Sequence, residues 1–465
     1  MMDLPGAMAS LRRSPLRWLA VVLGLVGYAR TAQLLAVAAA GGNAPRHRFE
    51  SAGLILAAGL LVSLVYTLRV GRQPPLDAPP GRSPRLALGV GAVAAIAYAW
   101  AVGLGPLSDD YQLRAWAAAG DVAPDEWTYL RPLPLLAWSA IVRLGGSWAA
   151  LHALNVALHA LNAGLAFVVA RRVLPPAPAL AAGLIVALFP AGPEAVAWTA
   201  GVFDLTATMC LLVMMTAWLA PQFTVRNGLT CVAAAGLGLF AKESAIVAPA
   251  LLAVSAFLLR PSMTRRHVVC AAAVTALCLA YGVGRWIASP ELAAHSALMP
   301  ADRVAVKDVL VRPAGGLVVP FRTDAGLTWP AWLGAVLVLV PLARWLPLSP
   351  RATGETAAAR LAALGALWIP ITAAPLLTQF YVAANLEGSR HAVLPAVGLG
   401  WLVAGSLGAA RSRAGVVSGI AVLALLCTYA VGLRTEAGLW RDAGAERDAV
   451  LAHVQRAADQ AGVAR

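Results

Sequence analysis

Long apolar runs alternate with short polar loops along most of the chain, and this pattern predicts a bundle of membrane-spanning helices. Runs of roughly 15–23 residues can cross a hydrocarbon core of about 30 Å, some of them tilted or in a locally thinned bilayer. The expected fold class is therefore all-α, a polytopic membrane bundle. The pattern predicts thirteen spans, near 18–40, 51–70, 86–106, 148–170, 178–192, 204–220, 228–241, 245–259, 267–287, 329–343, 358–378, 392–409 and 415–433.

Breaks in the pattern divide the chain into three parts. A Pro-rich linker ends the first part, 1–85, which is expected to hold two accessory spans and a cytoplasmic segment. The membrane domain is expected at 86–433, and an external helical stub at 434–465. The first large loop, about 107–147, is rich in tryptophan and tyrosine, which favour the lipid headgroup region. This composition predicts a helical loop lying on the membrane.

Composition and charge agree with this class. The chain is 60% hydrophobic and 12% charged, with a formal net charge of +14. The loops assigned to the cytoplasm carry arginine clusters but only three of the 22 acids, Asp3, Asp77 and Glu355. This asymmetry follows the positive-inside rule and predicts a bacterial-type inner-membrane protein with a cytoplasmic N-terminus and an external C-terminus. Because the basic charge has this explanation, a nucleic-acid partner is not expected.

Two adjacent carboxylates, Asp109 and Asp110, stand where a predicted span ends, and Tyr111 follows them. Tyr129 and Arg131 come later in the same loop. A carboxylate at the water boundary can act as a general base toward a bound hydroxyl group. The alternative is a pair of solvated loop acids without a chemical role.

A polar stripe runs through the next predicted span. His152, Asn155, His159 and Asn162 are spaced by 3, 4 and 3 residues, which confines them to an arc of roughly 80° on one helical face. The stripe predicts either an interhelical hydrogen-bond seam or the wall of a polar cavity. A divalent metal is possible but not indicated, because the two histidines are two turns apart and lack a third ligand.

Further charged groups occur at predicted helix ends. Glu194 follows a proline-broken span, Asp204 begins the next span, and Lys242-Glu243 separates two others. Lys242 is one of only two lysines in an arginine-rich chain, so a compact ammonium group is indicated there. A structural Lys242–Glu243 pair is the alternative.

These motifs, taken in order, resemble the C-type glycosyltransferases. The similarity is greatest to the membrane region of the transmembrane/tetratricopeptide-repeat protein O-mannosyltransferases and their bacterial relatives. The resemblance covers about 86–260 well and is weaker to 433, where Arg390-His391 through Pro395 lacks the aromatic residues of the family motif. The stretches that carry it are Asp109–Tyr111, Tyr129–Leu133, His152–Asn162, Leu188–Leu205 and Ala241–Ala245.

The resemblance implies inverting transfer of a sugar, such as a hexose or mannose, from a polyprenyl-phosphate donor at the external face of the bilayer. The acceptor would be a hydroxyl group of a protein, glycan or lipid. Asp109 would be the base and Asp110 would orient the acceptor or a neighbouring loop, while Arg131, Lys242 and Arg390 are candidates for stabilising the leaving phosphate. The expected cavity residues are Tyr111, Tyr129, His152, Asn155, His159, Glu194, Asp204, Glu243 and Glu387.

Two other classes of protein share some of these features. A transporter or flippase of lipid-linked sugars would also combine many spans with intramembrane polar residues. An inactive scaffold of the same fold would explain the altered motif at Arg390.

Overall fold

The structure is a computed structural model that describes residues 83–123, 130–259, 263–288, 316–324, 329–338 apart from 332 and 335, 356–376, 382–383, 385–408 and 413–460. The regular elements in these ranges are all helical, which confirms the predicted all-α class. The main helices are α1 Pro84–Tyr98, α2 Asp110–Ala119, α3 Pro132–Arg143, α4 Trp148–Arg171, α5 Pro176–Ala187, α6 Pro193–Ala197, α7 Val202–Trp218, α8 Val225–Ala241, α9 Ala248–Leu259, α10 Arg265–Ala288, α11 Thr356–Ala373, α12 Val393–Gly408 and α13 Arg413–Gln460. Short 3₁₀ helices occupy Ala99–Gly103, Thr199–Gly201, Glu243–Val247, Ala374–Leu376 and Ser389–Ala392.

Apolar helices of membrane-crossing length make this a multi-pass membrane protein. Within the described residues, six stretches are long and apolar enough: Pro84–Gly103, Trp148–Arg171, Thr199–Trp218, Arg265–Arg285, Ser389–Gly408 and Gly415–Gln460. Shorter apolar helices, among them α5, α8 and α11, match other predicted spans. The predicted spans at 18–40 and 51–70 lie outside the described residues, so the count of thirteen and the accessory role of 1–85 stay predictions.

Small residues let the helices of the core approach closely. A Cβ atom on Gly398 of α12 would lie 2.6 Å from the Gly365 carbonyl oxygen of α11, and one on Gly400 would lie 2.7 Å from the Ala182 carbonyl oxygen of α5. Such contacts are typical of membrane bundles, where packing replaces the hydrophobic effect between helices. The Trp401 indole N–H crosses from α12 to donate to the Ala166 carbonyl oxygen of α4 at 3.0 Å.

The C-terminal helix differs from its prediction. The sequence predicts a span that ends near 433 and a separate polar helix after it, whereas α13 runs without a break from Arg413 to Gln460. At 1.5 Å per residue its 48 residues reach about 72 Å, more than twice the hydrocarbon thickness. Arg447, on the distal part of α13, donates to the Pro106 carbonyl oxygen at 3.0 Å, so this helix contacts the loop that carries the two aspartates.

The bundle has two chemically different ends. The N-termini of α4 and α7 and the C-terminus of α8 lie at one end, near Asp109, and we call this the site end. The opposite end, which we call the arginine end, holds Arg171, Arg172 and Arg226 at the other termini of α4 and α8. There the Trp218 ring of α7 packs edge-on against Phe223, with 5.6 Å between ring centroids.

Candidate functional site at the site end of the bundle

The loop from Leu104 to Asp109 places the two aspartates side by side in different environments. Ser108 adopts a left-handed backbone conformation (φ +51°), which costs a residue with a side chain roughly 1 kcal/mol and is often found beside functional groups. Asp110 is in the first turn of α2 and is fully buried, while Asp109 is at the N-cap and exposed. The sequence alone does not separate the roles of the two carboxylates, but these environments do.

Asp110 fixes the loop to the rest of the bundle. One carboxylate oxygen accepts the Leu107 backbone N–H at 2.8 Å, and the other accepts the Ala200 backbone N–H at 3.0 Å. Burial raises the pKa of Asp110 to about 6, although these hydrogen bonds, which favour the ionised form, oppose the shift. Both oxygens are occupied, so Asp110 is a positioning residue in this arrangement.

The Asp109 side chain forms no capping hydrogen bond on α2 and lies beside the Trp198 side chain. Although the residue as a whole is exposed, partial loss of hydration raises the pKa of its carboxyl above the ordinary 3.8. The positive charge of Arg390 and the neighbouring Trp198 side chain act in the opposite direction. A carboxylate of somewhat raised pKa at a water boundary has the properties of a general base.

Two ion pairs at the site end join three segments of the chain. The Arg131 guanidinium, just before α3, donates through Nε and Nη2 to both carboxylate oxygens of Glu243 at 2.8–3.2 Å. The Lys242 ammonium group donates to an Asp204 carboxylate oxygen at 2.6 Å. The bidentate geometry of the first pair is the stronger form of charge-assisted hydrogen bond.

A third pair connects α6 with the 3₁₀ helix before α12. Glu194 accepts the Arg390 backbone N–H at 2.9 Å and the Ser389 hydroxyl at 3.1 Å, and its other oxygen lies 3.6 Å from Arg390 Nη1. The Arg390 guanidinium lies over the Trp198 ring, 4.3 Å from its centroid. Gly388, at φ +81°, provides the left-handed turn that starts this 3₁₀ helix.

These contacts change the interpretation of Lys242. The alternative of a Lys242–Glu243 pair is wrong, because Lys242 pairs with Asp204 and Glu243 pairs with Arg131. The role of Lys242 as a direct phosphate ligand is also not reproduced, since its side chain is only 5% exposed and held by Asp204. Sequence spacing favours a neighbour as partner, but the extended backbone at Lys242 (φ −161°, ψ 141°) turns the two side chains in different directions.

The polar stripe on α4 is a hydrogen-bond seam. Asn155 donates to backbone carbonyl oxygens between α6 and α7, the shortest bond being 2.9 Å to Trp198, and Asn162 donates to the Leu205 carbonyl oxygen at 2.9 Å. His159 lies 3.3 Å from the Ala187 carbonyl oxygen. Asn155 and His159 are buried among helices and serve backbone carbonyl groups, so the seam describes these two better than a cavity wall does. His152 is buried on the same face of α4, and its place in a cavity wall stays a prediction.

The remaining predicted cavity residues are spread around the site. Tyr111 lies on the surface of α2, with its ring edge-on to Trp148 at 5.9 Å between centroids. Glu387 is exposed in the loop before the 3₁₀ helix at Ser389. Tyr129 lies outside the described residues.

A pocket of about 350 Å³ is lined by Ser108 and Ser389, which precede Asp109 and Arg390 in the sequence. Ser108, Glu194, Trp198 and Glu387 line it from the core of the bundle, and Trp440 lines it from α13. Sequence reasoning did not assign Trp198 or α13 to the site. A tryptophan inside the Pro190–Trp198 motif is a usable signal for the first, whereas nothing in the sequence places Trp440 there.

Metal-ligand geometry is absent from the part of the chain that the structure describes. No group of three or more His, Cys, Asp or Glu side chains is arranged there to hold an ion. Asp204 lies 2.6 Å from Lys242 Nζ and 3.9 Å from His391 Nδ1, so an ammonium group already occupies the place beside its carboxylate.

Comparisons with known proteins give one structural likeness. No protein-family model matches the chain, and no curated protein matches it. Among solved structures, the chain is similar to the single-particle cryo-EM structure of arabinosyltransferase EmbB from Mycobacterium smegmatis, with 15% sequence identity and a TM-score of 0.40. The likeness covers 86% of this chain and 45% of that one, so the chain spans less than half the length of that protein.

Proposed function

We propose that the protein is an inverting glycosyltransferase that moves a sugar from a polyprenyl-phosphate donor to a hydroxyl acceptor at the external face of the membrane. The observation that carries the proposal is the placement of an exposed carboxylate, Asp109, near the charge of Arg390, at the same end of the bundle as the ion pairs of Arg131 and Lys242. Glycosyl transfer to a hydroxyl group needs a carboxylate to accept the proton and cations to stabilise the leaving phosphate. The ordered motifs that resemble the protein O-mannosyltransferases support the donor class.

Each charged group has a defined role in this proposal. Asp109 accepts the proton of the acceptor hydroxyl as that oxygen attacks the anomeric carbon of the sugar. Arg131 and Arg390 stabilise the negative charge that develops on the departing polyprenyl phosphate, and both retain partial exposure (15% and 30% of the side chain). Lys242 does not contact the phosphate in this proposal. It is a positioning residue that holds Asp204 through their ion pair.

The carboxylate partners keep these cations in place before the donor arrives. Glu243 and Glu194 hold the two guanidinium groups in fixed orientations, which lowers the reorganisation needed in the transition state. The Arg131 guanidinium donates through Nε and Nη2 to Glu243. The pocket of about 350 Å³ that Ser108 and Ser389 line is the proposed acceptor site.

The direct test is transfer of label by the purified protein in bilayers. Radiolabelled polyprenyl-phosphate sugars would be supplied with candidate hydroxyl acceptors, and label leaving the lipid fraction would be counted. We expect at least one sugar to be transferred. Arg131→Ala should reduce the transfer, because loss of one cation from a water-poor phosphate site removes a few kcal/mol of stabilisation.

The proposed orientation predicts opposite labelling of the two ends of the bundle. Asp121 follows α2 at the site end, and Arg226 begins α8 at the arginine end. Single cysteines at these positions, in a Cys427→Ser background, should react with an impermeant maleimide from the external and the cytoplasmic side respectively, as the positive-inside rule requires. Reaction of both from the same side would contradict the topology.

The pH dependence of transfer should report the ionisation of Asp109. Because a base must be deprotonated, the rate should rise with pH through a midpoint above 3.8, the ordinary value for an aspartate. Arg390→Gln removes a positive charge that lowers the pKa of Asp109, so the midpoint should move to higher pH. Arg441→Gln, a charge loss on α13 that affects Trp100 instead, should leave the midpoint unchanged. An Arg390→Gln midpoint at lower pH would contradict the assignment.

A further inference from the structure

A second pocket, larger than the first, opens at the arginine end of the bundle. Its volume is about 660 Å³. It lies where α4 and α7 end and α8 begins, with Leu165 and Arg172 contributed by α4 and its C-cap, Thr216 and Ala217 by α7, and Arg226 by α8.

This pocket is remote from the ion pairs at the site end. Arg226 is in the first turn of α8, and Lys242 directly follows its last turn. The 17 residues of α8 correspond to about 25 Å at 1.5 Å per residue. The second pocket therefore does not belong to the candidate active site.

The residues that line the second pocket combine basic and apolar side chains. The twelve described lining residues include two arginines, Arg172 and Arg226, and no acidic side chain. Apolar side chains such as Leu165 and Val213 line the same space.

We propose that this pocket binds a phosphate anion, carried by the headgroup of an anionic membrane lipid. Basic pockets between transmembrane helices at the membrane surface suit phosphate-bearing headgroups, and guanidinium groups match phosphate oxygens in charge and geometry. The apolar side chains accommodate the glycerol and proximal acyl region of such a lipid. The pocket is of ordinary size for a small-molecule site. This site is independent of the proposed transferase chemistry.

Lipid retention measured by native mass spectrometry tests the proposal on the full chain in micelles. Phosphatidylglycerol and phosphatidylcholine would be titrated against the wild type, Arg172→Gln/Arg226→Gln and the matched double variant Arg265→Gln/Arg266→Gln. The matched variant removes the same charge from exposed positions at the start of α10, outside the pocket. We expect the wild type and the matched variant to retain phosphatidylglycerol and the pocket variant to retain about tenfold less, as expected for two lost surface cations.

Further measurements show whether the bound phosphate belongs to a lipid or to a soluble ion, and which results would overturn the proposal. Displacement of the lipid by millimolar inorganic phosphate would support a phosphate site and assign it to a soluble ligand, which overturns the lipid assignment. Equal loss in both double variants would overturn the pocket, because net charge alone would then explain binding. Equal retention of both lipids by the wild type would overturn it as well. Circular dichroism of each variant excludes unfolding as the cause of a loss.

Discussion

Asp109→Asn is expected to lower the rate of sugar transfer by about 10²–10⁴-fold, the range for a lost general base. Asparagine keeps the size and polarity of the side chain but removes the basic carboxylate. Asp109 caps nothing with its side chain and is exposed, so the fold should be unaffected. Donor binding should survive, because the phosphate contacts are proposed for Arg131 and Arg390. The measurements are the transfer rate and the affinity for the donor in the same bilayer preparation.

Two neighbouring variants separate a base from a general effect of charge. Asp121→Asn removes an exposed carboxylate that accepts the Ala123 backbone N–H at 3.2 Å, and it should leave transfer unchanged. Asp110→Asn should lower thermal stability, since an amide has one acceptor oxygen where Leu107 and Ala200 need two. Normal turnover by Asp109→Asn would exclude it as the base, and a loss confined to Asp110→Asn would reverse the two roles.

Lys242→Met is expected to destabilise the protein by about 3–5 kcal/mol, the effect of removing one partner from a buried ion pair. Methionine approximates the length of lysine without the charge. Asp204 would then keep a nearly buried carboxylate without its ammonium partner, with the His391 imidazole 3.9 Å away. The free energy of unfolding, or the thermal midpoint in micelles, measures this loss.

A second substitution shows whether the loss comes from the ion pair. Lys242→Met/Asp204→Asn removes both charges and should recover most of the stability, giving a coupling energy well above that of an exposed pair. Arg322→Met is the matched comparison, because its partner Asp324 is 37% exposed and such pairs contribute at most about 1 kcal/mol. Additive losses at Lys242 and Asp204 would mean that the pair does not stabilise the fold.

The positions of the core helices could be predicted from the sequence, because the spacing of apolar residues and the placement of prolines determine locally where a helix begins and ends. The chain breaks after α5 and restarts at Pro193, as the motif predicts, and α7 begins close to Asp204. The clustering of the charged motifs at one end could also be predicted from the sequence. Successive spans reverse direction, so the polar ends of alternate loops lie on the same side of the membrane. Arg131, Asp204 and Lys242 were therefore predictable as neighbours.

The pairing within the cluster could not be read from the sequence. Arg131 and Glu243 are 112 residues apart, and Glu194 and Arg390 are 196 apart, so local spacing holds no information about either bond. The α4 stripe fits a seam and a cavity equally well, because both place polar groups on one face. Its assignment depends on which carbonyl oxygens α6 and α7 leave unpaired nearby. The change in hydropathy near 433 marks the end of the apolar stretch but not the end of α13, which continues to Gln460 and contacts the Pro106 loop through Arg447.

Sealed vesicles that hold the purified protein, with donor on one side and acceptor on the other, provide the most direct test of the central claim. Label is counted separately on the acceptor and on donor lipid that has crossed the bilayer, for the wild type and for Asp109→Asn. The account predicts acceptor labelling by the wild type and a fall of about 10²-fold or more in the variant, with no translocation of donor in either. Translocated donor without labelled acceptor, unchanged by Asp109→Asn, would contradict the account and identify a transporter.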